Sequence, residues 1–146
     1  MANSIKTIET LVKLSENAVE EKQKEISAIQ ERLDAMESRK KHLLDGMETE
    51  VQIAADASTP LMYEMAGKFQ AKAEDELDLL GQAIVLTEKE LAEKRDELIE
   101  LYQEQKTNDI ILERKKEAIK KEREKKDIAE LDEIASKMHR HKKIND

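Results

Sequence analysis

The chain has 146 residues, of which 41% are charged, 2% are aromatic and none is cysteine, and its formal net charge is −8. With one Phe, two Tyr and no Trp, large side chains are too few for a wide globular core, and without cysteine the chain has neither disulfides nor thiolate chemistry. Disorder is disfavoured as well, because apolar residues recur at helical spacing among strong helix formers, a composition typical of long helices or a coiled coil.

The first predicted element is a helix over about residues 4–57. Its apolar residues follow the alternating steps of three and four that keep one stripe of a helix against a partner helix. Two lysines interrupt this seam, where their stems can lie along the stripe while the ammonium groups reach water. The predicted seam consists of Val12, Ser15, Val19, Lys22, Ile26, Ile29, Leu33, Met36, Lys40, Leu43 and Met47.

The only proline, Pro60, predicts a turn at about residues 58–60. Ser58 and Thr59 precede it, and either can cap the free N–H groups at the start of a new helix, whose first position favours proline. The residue before a proline avoids the helical conformation, so the first helix should end by about Thr59. The alternative is a proline kink within one continuous helix.

The second predicted helix covers about residues 60–140. Its seam consists of Phe69, Ala73, Leu77, Leu80, Ile84, Thr87, Leu91, Lys94, Leu98, Leu101, Gln105, Asn108, Leu112, Lys115 and Ile119. Two long helices joined by a tight turn must run antiparallel. We therefore expect an all-α, elongated antiparallel coiled-coil hairpin that forms a single domain over residues 1–146, with the second helix longer.

Pairing outward from the turn places the first residues opposite about residue 114. Residues 113–140 are therefore predicted to overhang, carrying a thin apolar stripe that continues from Ile119 through Ile128, Leu131, Ala135 and Met138. A lone amphipathic helix is only marginally stable in water and becomes ordered when a partner covers its stripe. The overhang is therefore interpreted as an insertion element.

The sequence contains no Gly-rich phosphate loop, no Cys/His metal spacing and no nucleophile beside a plausible base. His139 and His141 lie two positions apart, so on a helix they do not share a face. Carboxylates on a two-helix hairpin have no pocket that would perturb their pKa values. We expect no enzymatic activity, no metal and no cofactor.

Charge is unevenly distributed along the chain. Residues 74–104 hold eleven acidic and three basic side chains, whereas residues 105–146 hold thirteen basic and ten acidic ones. Acids are interleaved among the basic runs and aromatics for base stacking are missing, so we expect no nucleic-acid binding. The start of the chain lacks the pattern of a secretory signal, and no run of about 18 apolar residues predicts a membrane span. These features favour a cytoplasmic protein.

The stretches "IETLVKLSENAVEEKQKEISAIQERLDAME", from Ile8, and "EREKKDIAELDEIASKM", from Glu122, carry a family likeness. The second stretch is the more specific, because it resembles the charged C-terminal signature of the FliJ family, with Asp132 and Glu133 as its acidic pair and Ala135 as the small residue. Members of that family are soluble components of the flagellar type III protein export apparatus. The likeness extends over essentially the whole chain.

The resemblance implies a stalk-like coiled coil, similar to the γ stalk of rotary ATPases. Its joined ends would enter the hexameric flagellar export ATPase and promote the assembly and activity of that ring. The protein would also contact the export gate protein and export chaperones at the cytoplasmic face of the apparatus, so that it meets the membrane only through partners. The residues implied to meet the ATPase are Ile8, Leu11, Val12, Arg114, Lys115, Arg123, Leu131, Asp132, Glu133, Ala135 and Met138.

The gate contact implied by the same resemblance comprises Tyr63, Phe69, Leu77 and Leu80, although the chain has fewer aromatics in this region than the family does. Local capping of the hairpin is an equally good reason for apolar residues beside the turn. Two other interpretations of the whole chain stay open. One is the equivalent stalk protein of a virulence-type secretion system, and the other is a structural coiled coil that homodimerises through the seam.

Overall fold

The computed structural model describes residues 2–145, with side chains described for residues 4–144. It consists of two helices, α1 (Ala2–Ala57, 56 residues) and α2 (Pro60–Asn145, 86 residues). The helices pack against each other as an antiparallel hairpin in which α2 is longer, so the predicted all-α hairpin is confirmed. A single helix kinked at Pro60 is excluded, because Ser58 and Thr59 separate the two elements.

The turn consists of Ser58 and Thr59, and each residue caps one helix. Ser58 adopts a left-handed conformation, with φ at 52°, and its backbone N–H donates to the carbonyl of Ala54 at 2.9 Å. Thr59 caps α2, because its Oγ1 accepts a hydrogen bond from the N–H of Met62 at 3.3 Å. Pro60 occupies the first helical position, where its missing N–H costs nothing. The chain thus reverses in two residues.

Ser58 is strained by its positive φ, since left-handed backbone is costly for any residue with a Cβ. We expect Ser58→Gly to raise the free energy of unfolding by about 0.5 kcal/mol, even though it removes the hydrogen bond from Ser58 Oγ to the carbonyl of Ala55. Urea unfolding followed by circular dichroism measures the change. Ser58→Ala, which loses the hydroxyl but keeps the Cβ, should be no more stable than the parent chain. If the two variants are equally stable, the strain is absent.

The two helices form two compact units along their length. One, called the turn unit, is Val19–Glu100 and contains the hairpin turn. Its core is a cluster of four buried residues, Ile29, Leu33, Ile84 and Leu91, against which Ile26 and Met36 pack. These residues all belong to the predicted seams. The buried stripe is narrow because each helix offers one apolar face to a single neighbour.

Near the turn, a glycine permits the close approach of the helices. A Cβ built on Gly46 would lie 3.2 Å from Cζ of Phe69, so the phenyl ring occupies the space that a side chain would need. Farther along, Lys40 is exposed although the spacing predicted it in the seam. The stripe passes directly from Met36 to Leu43, a step of one full heptad, so the period is kept and the long Lys40 side chain reaches water instead of the seam.

Ion pairs border the core of the turn unit. Arg39 binds Glu76 at 2.8 Å, and its hydrogen bond lowers the pKa of the Glu76 carboxyl. Lys22 lies half-buried in the seam, as predicted, and its Nζ lies 2.8 Å from Glu97 and 3.0 Å from Glu25. The hydrogen bond from Lys22 lowers the pKa of Glu97. These exposed pairs favour one alignment of the helices more than they add to stability.

The second unit, called the terminal unit, joins α1 up to Ala18 with α2 from Leu101 onward. Its seam contains a buried polar contact, in which Nδ2 of Asn108 donates to Oγ of Ser15 at 2.6 Å. Lys115 donates to Oγ of Ser4 at 3.1 Å, so α2 stays beside α1 beyond residue 113. Ile119 is half-buried, whereas the side chains of residues 120–144 are all exposed. The unpaired segment therefore begins at about residue 120 instead of the predicted 113.

Candidate functional site

The candidate site is the part of α2 that lies beyond the described side chains of α1. All 25 side chains from residue 120 to residue 144 are exposed, yet the backbone remains helical through Asn145. This segment, called the free helix, is about 37 Å long at 1.5 Å per residue. It contrasts with the paired part of the terminal unit, where Leu101, Asn108 and Leu112 are partly covered by α1.

An apolar stripe runs along one side of the free helix. Ile128, Leu131, Ile134 and Met138 are each more than half exposed, with Leu131 at 64% and Met138 at 68%. Steps of three and four residues place them and Ala135 on adjacent turns of one face. The predicted stripe omitted Ile134, although its position three residues after Leu131 is a sufficient signal. Such a face in water indicates a surface that another helix or groove can cover.

Charges around the stripe alternate in blocks. Residues 120–126 are mainly basic, residues 127–133 carry four acids and no base, and residues 137–143 are basic again. Two ion pairs along the helix, Lys121–Glu117 at 3.8 Å and Lys137–Glu133 at 3.6 Å, are exposed and support the helix only weakly. A partner of the free helix would therefore meet basic, acidic and basic surface in turn, which favours one position of the partner along the helix.

The α1 residues predicted for the same contact lie in the paired part of the terminal unit. Ile8 and Val12 are half-buried in the seam, whereas Leu11 is 47% exposed and can reach a partner. The start of α1 is held to α2 by two contacts, Ser4 with Lys115 at 3.1 Å and Glu9 with Lys116 at 3.9 Å. The structure thus uses Ile8 and Val12 mainly for packing.

Beside the start of α1, a mostly apolar groove of about 400 Å³ lies on the terminal unit. Arg114 and Lys115, both predicted to bind the partner, line it together with Ile111, Ala118 and Ile119. The other predicted residues on α2, namely Arg123, Leu131, Asp132, Glu133, Ala135 and Met138, lie farther along the free helix. The predicted set is therefore a strip along about 35 Å of α2 and not a single pocket.

The residues predicted to contact an export gate lie in the turn unit and fall into two groups. Tyr63 is 55% exposed and Phe69 is 36% exposed, so both present surface near the turn. Leu77 and Leu80 are half-buried in the seam with α1. The exposed leucines nearby are Leu79 and Leu86, which the prediction missed. The signal for them was the run "LLGQAIVL", which is apolar on all sides of the helix and not only along the seam.

Within residues 2–145, no group of three or more His, Asp or Glu side chains is placed to hold a metal ion. The described helices also contain no stretch long and apolar enough to cross a membrane. The free helix thus presents an exposed apolar stripe flanked by blocks of alternating charge. Such a surface is suited to binding another helix or an apolar groove.

A family model described as "Flagellar FliJ protein" matches residues 5–143 of the chain. Searches of curated proteins and of solved structures found no significant match.

Proposed function

Because the chain belongs to the FliJ family of flagellar proteins, which makes it a component of the flagellar export apparatus, we propose that it acts as a non-enzymatic stalk. In this proposal the free helix of α2 binds the hexameric export ATPase and promotes the assembly and activity of that ring. The observation that carries the proposal is the free helix itself, which keeps 25 consecutive exposed residues helical around an uncovered apolar stripe.

In this proposal the stripe supplies affinity, and the charge blocks favour one position of the partner along the helix. Leu131, Ile134 and Met138 would enter an apolar surface of the ring, while Asp132 and Glu133 would face basic groups beside it. Arg114, Lys115 and Arg123 extend the contact toward the start of α1, where Leu11 adds exposed apolar area. A partner that covers the stripe removes the instability of a lone helix, and the free energy gained there drives binding.

Stimulation of the ATPase requires only that the stalk bind one conformation of the ring better than another. Subunits of a working ring differ in conformation, and the alternating charges can pair differently with each of them. A differential affinity of about 1.4 kcal/mol shifts the ratio of two conformations tenfold. No catalytic group and no cofactor is needed in this chain for that effect.

The turn unit would serve the remaining partners, the export gate protein and export chaperones, on the cytoplasmic side of the apparatus. Tyr63 and Phe69 are the exposed members of the gate set and would make the direct contact. Leu77 and Leu80 are half-buried in the seam and would act indirectly, by holding α2 against α1.

A truncation tests the stalk. A chain that ends after Ile119 loses the free helix but keeps the hydrogen bonds and ion pairs described between α1 and α2, including Lys115 with Ser4. We expect the intact chain to raise the ATPase rate and the fraction of assembled rings of the flagellar export ATPase from the same organism, and the truncated chain to raise neither.

Two controls accompany the truncation. Circular dichroism must show that the truncated hairpin remains folded. A chain that ends after Arg140, which keeps the stripe, should stimulate like the intact protein. If the chain that ends after Ile119 stimulates fully, the free helix is not the ATPase contact. If neither it nor the intact chain has any effect, a structural coiled coil is the better account.

A further inference from the structure

The turn unit carries an apolar surface that the hairpin does not use. Leu79, Val85 and Leu86 are exposed to 67%, 64% and 68% on the side of α2 away from the seam. A helix that packs against one neighbour needs only one apolar face. The second face on α2 therefore indicates a further contact.

A second series of residues passes through these leucines with alternating steps of four and three. This series, called the outer face, consists of Lys68, Lys72, Asp75, Leu79, Gln82, Leu86, Lys89, Glu93 and Asp96, all of which are exposed. The spacing is that of a helix–helix seam. Its two leucines flank Gln82, and its charged residues lie beyond them on both sides.

When two copies of the outer face run antiparallel, their charged residues lie opposite residues of the other sign. If two copies of α2 lie antiparallel and cross at Gln82, residues whose numbers add to about 164 lie opposite one another. The leucines then meet, since Leu79 lies opposite Leu86 of the second copy. The opposed charges are Asp75 with Lys89, Lys72 with Glu93, and Lys68 with Asp96. Each pair is of opposite sign and occurs twice, because a two-fold contact is reciprocal.

We propose that the outer face of α2 pairs antiparallel with the outer face of a second copy of this chain, centred on Gln82. The contact leaves the hairpin intact, because the seam residues Ile84, Thr87 and Leu91 remain buried against α1. It thus differs from a coiled coil that homodimerises through the seam.

The surface beside the outer face is open enough for a second helix, and like charges mark where the pairing would end. A groove lined by Leu77, Asp78, Gly81, Gln82, Val85 and Leu86 runs beside the outer face. A Cβ built on Gly81 would meet nothing within 4 Å, so this side is open. Leu79 of the second copy would lie at the height of Val85 and Leu86, where the groove can receive it. Beyond the complementary stretch, Glu64 would face Glu100 of the second copy, and this repulsion ends the pairing.

Charge reversal with mixing tests the proposal. Sedimentation equilibrium of the intact chain up to about 500 µM should show a reversible dimer, since four leucines and surface ion pairs support a weak one. Asp75→Lys and Lys89→Glu each place like charges opposite one another twice, so each variant alone should dimerise at least ~10-fold more weakly. An equal mixture should recover the parent affinity, because each heterodimer restores both pairs. The double variant should recover it as well.

Recovery on mixing cannot come from a fold that either substitution has damaged, and circular dichroism checks the fold of each variant. The proposal is overturned if the single variants associate like the parent chain or if the mixture stays as weak as they are. It is also overturned if the parent chain is monomeric at about 500 µM, a result that would assign the outer face to a different protein.

A crosslink tests the centre of the pairing directly. The chain has no cysteine, so Gln82→Cys introduces a unique thiol close to the proposed two-fold axis. A short bismaleimide should link two copies of this variant efficiently. Ser38→Cys, at an exposed position on α1, serves as the control and should not be linked. Equal linkage of the two variants would contradict pairing about Gln82.

Discussion

Leu131→Asp is expected to weaken binding to the export ATPase by about 100-fold, which corresponds to about 2.7 kcal/mol, and to abolish stimulation at concentrations where the parent chain is effective. Leu131 lies in the middle of the apolar stripe and is 64% exposed in the free protein. In the proposed complex a partner covers it, and a carboxylate buried there would lose its hydration without gaining a partner. Titration of the ATPase rate measures the effect.

The substitution should leave the isolated protein almost unchanged. Because the side chain of Leu131 contacts no residue of α1, only the lower helix propensity of Asp opposes folding, by about 0.5 kcal/mol. Ile144→Asp is the matched control, since Ile144 is 81% exposed and lies on the other side of the free helix. Equal loss of stimulation by both variants, or a large loss of helicity in Leu131→Asp, would argue for a structural role of the stripe.

Leu33→Ala is expected to produce the largest loss of stability, about 3 kcal/mol. Leu33 is 6% exposed and belongs to the four-residue core of the turn unit, where it packs with Ile84 and Leu91. In a core this narrow, no neighbouring layer can move in to fill the cavity. A loss of about 3 kcal/mol is a large share of the 5–15 kcal/mol that stabilises a typical domain.

Urea unfolding at low protein concentration, which keeps self-association out of the measurement, gives the change in free energy. Leu44→Ala is the control, because it removes the same atoms from a leucine of α1 that is 48% exposed. Its cost should stay below about 1 kcal/mol, much of it from lost partial burial. If the two substitutions cost the same, the core of the turn unit is not where the hairpin gains its stability.

Much of the fold could be predicted, because a two-helix hairpin is specified by the positions of its seam residues and of its turn. Helical period alone identified the buried residues Val19, Leu33, Ile84 and Leu91, and the pair Thr59–Pro60 located the turn. The exposure of Lys40 could not be predicted by the same spacing, because a lysine at a seam position can lie along the stripe or extend into water. The sequence predicted structure well at residues with a single strong preference, such as a proline at the start of a helix or a leucine in the seam.

The candidate site was harder to predict, because the exposure of each leucine of α2 depends on which face of that helix packs against α1. Leu77 and Leu80 were assigned to a partner although the seam covers them in part, while Leu79 and Leu86 on the outer face were overlooked. The apolar stripe around Leu131 was found because it lies on a segment with no competing helix beside it. The identity of a partner for the stripe leaves no mark in composition or spacing, and that part of the prediction came from family resemblance.

The hydrogen bond from Asn108 to Ser15 supports the alignment of α1 and α2 that leaves residues 120–144 exposed. A shift of α2 by one heptad would place Asn108 opposite Ile8 or Lys22, and the amide would lose its hydroxyl acceptor in the seam. Such a shift would also lengthen or shorten the free helix by seven residues, or about 10 Å. The pairing of one amide with one hydroxyl therefore helps to fix the length of the free helix, and in the proposed complex it would also help to fix the depth to which that helix enters the ring.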